Sequence, residues 1–145
     1  MKTFILISLV VTFFVSCKKN EATICAINMT EIAGNYKFSK LEKVSYSTGI
    51  AQDVTSTLTS CELSGLYTFN SDSTAEYSEL AICNGNSSGS WNLSGTLLYT
   101  AFNSSNANRI TGTLIESWDC STLVLITRYP SVDYNFRITL SKVQN

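Results

Sequence analysis

Five cysteines and no histidine set the chemistry open to this chain of 145 residues. Cys17 closes a segment in which Lys2 supplies a positive start, Phe4 to Val15 a mostly apolar run, and Phe14-Val15-Ser16 leads into the thiol. A secretory leader needs small residues before its cut but no cysteine at a fixed place, whereas lipidation needs a thiol to carry the diacylglycerol at the new N-terminus. The sequence therefore predicts a lipoprotein signal peptide over residues 1–16 and an acylated Cys17. A spanning helix is not expected: it needs about 20 apolar residues, and Cys17-Lys18-Lys19-Asn20 ends the run early.

The remaining cysteines are Cys25, Cys61, Cys83 and Cys120, with no CxxC pair among them. Without histidine the usual zinc spacings are missing, so no metal or cofactor is expected, and an even count in an exported chain favours disulfides. Counting alone allows three connectivities. Tyr67-Thr68-Phe69 and Ala75-Glu76-Tyr77 flank the polar stretch 70–74, a turn signal between two alternating runs. A hairpin centred on Asp72 pairs residues whose numbers sum to 144, so Phe69 faces Ala75, Tyr67 faces Tyr77 and Cys61 faces Cys83. Opposed strand positions lie ~4.5–5.5 Å apart at Cα, within the reach of a disulfide. Ser64 and Gly65 can break the register before Cys61, but the proximity survives a bulge. Cys25 and Cys120 are left for each other.

Acyl-transfer chemistry of the Ser-His-Asp or Cys-His kind is excluded, since it needs a histidine. Carboxylate-pair hydrolysis needs two acids about 5–9.5 Å apart across a cleft. Glu76 with Glu79, and Glu116 with Asp119, are the nearest candidates, yet parity turns Glu76 outward and Asp119 falls in a turn. Glu79 alone has inward parity, as a single polar group in an interior. An enzyme is not expected. The aromatic residues are the remaining chemistry: Tyr36, Phe38, Tyr67, Phe69, Tyr77, Trp91, Tyr99 and Phe136, with Tyr134, can point to one interior, where they either fill it or line a site for a small apolar or amphipathic molecule. Entry of such a ligand is expected to change the emission of Trp91, with Trp118 near a loop.

These residues need strands to position them. The 129 residues from Cys17 onward suffice for one domain, and nine basic against eleven acidic residues leave a net charge of −2, so no basic surface attracts nucleic acid. Segment 17–30 reads as a lipidated tether and 31–145 as the domain, expected as a monomer. After one helical turn at Thr30–Ala33, alternation predicts strands near 35–46, 53–60, 65–70, 74–80, 88–93, 96–102, 109–116, 121–128 and 133–142. The clearest is the last, where Tyr134, Phe136, Ile138 and Leu140 share a face. Tight polar turns and no segment long enough for a βαβ crossover predict an all-β fold, an antiparallel up-and-down β-barrel of eight to nine strands, with a two-sheet sandwich as the rival.

Ile32-Ala33-Gly34-Asn35-Tyr36-Lys37-Phe38, then Cys61 before Leu66-Tyr67-Thr68-Phe69, then Cys83 and Gly89-Ser90-Trp91, resembles the motif order of bacterial lipocalin-like lipoproteins, with tyrosine where the opening G-x-W strand carries tryptophan. The resemblance spans about residues 31–142. It implies a calycin-like barrel anchored in the outer membrane of a Gram-negative envelope, binding rather than catalysing, with Arg137 packed over Tyr36 by cation–π contact. The rival is an interaction module of inhibitor or adhesion type, using loops 44–60 and 83–88 to hold a protein or glycan.

Overall fold

The computed structural model describes residues 25–104, 107–127 and 133–144. The leader and Cys17 lie outside them. Nine antiparallel strands follow in chain order: β1 (Gly34–Ser45), β2 (Ala51–Asp53), β3 (Leu66–Phe69), β4 (Thr74–Ser78), β5 (Ser87–Ser94), β6 (Leu97–Phe102), β7 (Thr113–Trp118), β8 (Thr122–Thr127) and β9 (Tyr134–Lys142). Each of β3 to β9 pairs with its sequence neighbour, and β1 closes the circuit by pairing with both β3 and β9. A ring of hydrogen bonds results, with β2 attached outside it to the second half of β1. Closure leaves few free strand edges.

Local chemistry sets the registers. In the β3–β4 hairpin, Asp72 Oδ1 accepts from Thr74 N at 3.0 Å and Thr74 Oγ1 at 2.6 Å. Ser73 takes the left-handed conformation, φ 74°. Tyr67 then faces Tyr77 and Phe69 faces Ala75, the expected register. Gly89 on β5 lies so close to β6 that a Cβ there would strike the carbonyl oxygen of Ala101. Only glycine permits that approach.

The strands stop at Leu66 and Ser78, so Cys61 and Cys83 are not ladder partners. Cys61 lies on the short helix α2 (Ser60–Ser64) and Cys83 on a 3-10 turn (Ala81–Cys83), and they are bonded with Cα atoms 5.7 Å apart. The expected strand over 53–60 is replaced by a 3-10 turn (Thr55–Thr57) leading into α2. Thr59 and Glu62 form a capping box there, which favours a helix start over continued strand. Likewise 107–110 is a 3-10 turn and β7 begins only at Thr113.

One end of the ring is closed. Helix α1 (Met29–Ile32) packs the fully buried Ile32 against it, and Ile32 O accepts from the Tyr36 hydroxyl. Cys25 is bonded to Cys120 in the β7–β8 turn, Cα to Cα 5.5 Å. Asp119 shapes that turn by accepting from Ser121 N at 3.0 Å and Thr122 N at 2.6 Å, which holds its carboxyl below the usual carboxylate range. Cys120 sits at φ 73° as a result of this geometry.

Candidate binding site at the end opposite α1

The middle of the ring is packed by its own aromatic side chains. Trp91 is 1% exposed, its ring 5.0 Å from that of Phe69, and its Nε1 donates to Asn70 O at 2.7 Å. Tyr36 lies 5.7 Å from Phe69 and 6.1 Å from Trp118, and Tyr67 lies 4.7 Å from Tyr77. Tyr36, Tyr67, Phe69, Tyr77 and Trp91 therefore fill the interior, the packed alternative of the two that inward parity allowed, rather than walling a cavity.

Tyr99 is a correction: it is 42% exposed, because Leu98, Thr100 and Phe102 are the buried face of β6. Arg137 is a second. Its side chain is on the outer face, with Nε 2.5 Å from Glu116 and Nη1 3.7 Å from Glu42. The cation near the opening aromatic is Lys142, whose Nζ lies 5.8 Å from the Tyr36 ring and 5.3 Å from that of Trp118. Lys142 continues the inward series Phe136, Ile138, Leu140, so the sequence carried that signal. Trp118, expected near a loop, is the buried last residue of β7.

The candidate acids are engaged or positioned separately. Glu116 is held by Arg137, and Glu76 is exposed. Glu79 Oε1 accepts from the Tyr77 hydroxyl at 2.6 Å, while Oε2 is buried without a hydrogen-bond partner and crowds the space where a side chain on Gly85 would go.

Burial pushes the phenols of Tyr36 and Tyr67 far up, and burial together with the Glu79 hydrogen bond does the same to Tyr77. A raised folded-state value means stability that is complete below the unfolded tyrosine value of 10.0 and lost as pH rises beyond it. Denaturant midpoints measured from pH 8 to 12 should thus fall above about pH 10. Tyrosinate absorbance of these three should appear only with unfolding; full ionisation of a folded protein would contradict it.

A hollow remains at the end opposite α1, where β1 finishes and β9 begins. Its volume is about 270 Å³, and its walls are Phe38 and Leu41 of β1, Thr127 of β8, Phe136 and Ile138 of β9, and Arg109. Phe38 and Phe136 were expected at such a site; Leu41, Ile138, Thr127 and Arg109 were not. Leu41 faces inward because β1 changes register between Phe38 and Lys40. A bulge of this kind shifts the alternation by one residue. Leu41 then pairs with Ile138 and Lys43 with Phe136 across the ladder.

Arg109 reaches the hollow from the 3-10 turn Ala107–Ile110, and its Nη2 donates to Glu62 on α2. Desolvation raises the Glu62 carboxyl, but the hydrogen bonds from Thr59 and the charge of Arg109 outweigh it and leave the carboxyl lowered. The Cys61–Cys83 bond beside Glu62 fixes α2, so it also fixes the arginine wall. Closing a span of 22 residues stabilises by about 3 kcal/mol in the chain-entropy account.

No family model matches the sequence, and no curated protein matches it. No group of three or more His, Cys, Asp and Glu side chains among the described residues could hold a metal ion. The site offers apolar walls, the hydroxyl of Thr127 and the Glu62-paired guanidinium of Arg109.

Proposed function

We propose that the closed sheet is an up-and-down barrel of the lipocalin kind, carried by an envelope lipoprotein that binds one small apolar or amphipathic molecule. The observation that carries this reading is the 270 Å³ hollow with Phe38, Leu41, Phe136 and Ile138 on its walls, beside the packed aromatic middle of the ring. Apolar concavities with few polar groups are the common form of small-molecule sites. The ligand sits at the end opposite α1, away from the aromatic middle.

An uncharged polarity-sensitive dye tests this. It should bind with one-to-one stoichiometry, Leu41→Trp should fill the hollow and abolish binding, and Tyr99→Ala on the outer face should leave it unchanged. Trp91 and Trp118 both stand toward the α1 end, so their emission should barely move, in contrast to the expectation from parity. Dye binding unaffected by Leu41→Trp would sink the reading.

Anchoring rests on Cys17, its leader and the tether after it. Acyl chains contribute about 0.8 kcal/mol per buried methylene, so two or three chains hold the protein stably. Lys18, rather than an aspartate, after the cysteine favours the outer membrane. Cys17→Ala should move the protein from the detergent phase to the aqueous phase; unchanged partitioning would remove the anchor from the proposal. One observation favours the rival interaction module: Ile82 is 83% exposed and Ile50 is 69% exposed, in or beside the loops expected to carry it. If the dye fails to bind, those loops become the functional surface.

A further inference from the structure

A wider recess neighbours the hollow, and one rung of the β1–β9 ladder joins their linings, with Phe136 on the wall of the hollow and Lys43 on that of the recess. Lys43 pairs with Phe136 and Ser45 with Tyr134. Directly opposed residues of an antiparallel pair project to the same face, so Lys43 and Tyr134 stand above Leu41 and Ile138 on one continuous surface. The recess measures about 410 Å³ and is also lined by Gln52, Thr48 and Ile50, with Asp133 at its lip. The surface is graded. Below Phe136 it is mainly apolar, with Thr127 and the Glu62-paired Arg109 as its polar groups; above it lie an ammonium, an amide and hydroxyls.

The charges on this surface are not balanced in depth. Arg109 is neutralised by Glu62. Lys43 is half-buried, its Nζ 3.7 Å over the Tyr134 ring, and it makes no ion pair among the described residues. Tyr134 in turn meets Phe136 edge-on at 5.3 Å. Asp133 is exposed, where water and salt screen it. An incoming head group next to Phe136 therefore meets an unpaired cation on an aromatic face before it meets a carboxylate. Size restricts the other end of the ligand. A volume of about 270 Å³ holds roughly nine water-sized groups at ~30 Å³ each, enough for a medium-length chain or a single ring. A sterol ring system or a porphyrin is too large.

We infer that the site takes a compact amphiphilic anion, its short apolar part between Phe38, Leu41, Phe136 and Ile138 and its anionic head at Lys43. This rests on the reading of the hollow as a binding site and adds the sign of the head and the size of the tail. The test is calorimetric titration of the full mature chain, at low ionic strength, with three ligands of one tail: decanoate, decanol and decyltrimethylammonium. Decanoate should bind about tenfold more tightly than decanol, the gain of one charge-assisted contact, and the ammonium more weakly than either. Lys43→Gln should erase the preference for decanoate while leaving decanol affinity in place, and Lys43→Arg should keep it. Equal binding of decanoate and decanol would overturn the head assignment and spare the hollow. Tighter binding of the ammonium would overturn the sign, and one-to-one binding of cholesterol or haem would overturn the size. Failure of decanol and decanoate alike would overturn the hollow itself.

Discussion

Removing the Cys25–Cys120 bond by replacing both residues with serine should lower stability by about 4–5 kcal/mol. The bond spans 95 residues, and a cross-link of that length strongly restricts the unfolded chain. There is a folded-state part as well. The bond fixes the segment leading into α1, whose Ile32 is fully buried and whose carbonyl receives the Tyr36 hydroxyl. Denaturant midpoints of the double variant and of the parent, each followed by far-ultraviolet circular dichroism, measure the effect. Loss of less than about 1 kcal/mol would mean that α1 and the β7–β8 turn hold the closed end without the cross-link, well below the range for native disulfides.

Trp91→Ala should cost about 3–5 kcal/mol, the range for deleting a large buried aromatic. Trp91 is the hub between Phe69 and the β3–β4 turn, because its ring packs on one and its Nε1 bonds Asn70 of the other. Its backbone N–H also donates to Ser73 O at 2.9 Å. Trp91→Phe keeps most of the packing and removes one of the two hydrogen bonds to the Asn70 carbonyl, which still accepts from Ser73 N at 3.2 Å, so it should cost only about 0.5–1.5 kcal/mol. The ordering of the two variants by urea denaturation is the measurement. If alanine and phenylalanine cost the same, the hydrogen bond rather than the packing dominates, and the filled middle is less tightly packed than its distances indicate.

The sequence makes the β3–β4 hairpin legible to the residue because polar turn residues and alternating aromatics agree there. A slip of one residue would turn Tyr67 and Phe69 out to water. It left the two bulges unreadable. Between Phe38 and Lys40 the register of β1 shifts, and Leu41 and Lys43 turn inward where strict alternation would place Lys40 and Glu42. Between Ile115 and Ser117 the same event brings Trp118 into the core. A bulge leaves no composition signal in a single sequence, so the wall of the hollow was half missed. Tyr99 failed for another reason. Leu97, Leu98 and Tyr99 are three apolar residues in a row, and periodicity cannot choose between faces in such a run. The capping box at Thr59 and Glu62 was readable as S/T-x-x-E, but the aliphatic and β-branched residues around it read as strand.

The joint between Cys25 and Cys120 also determines how the protein bears tension. When the two ends of the chain are pulled apart, force passes from Cys25 through the sulfur atoms to the β7–β8 turn, and the 95-residue interval between them is shunted out of the load path. Strand β1, seated between β3 on one edge and β9 on the other, is therefore not peeled from its N-terminal side. Among the described strands, β8 and β9 stand in series with the pull. Under reducing conditions that shunt opens, α1 becomes the first element to feel the strain, and the molecule unravels from its closed end.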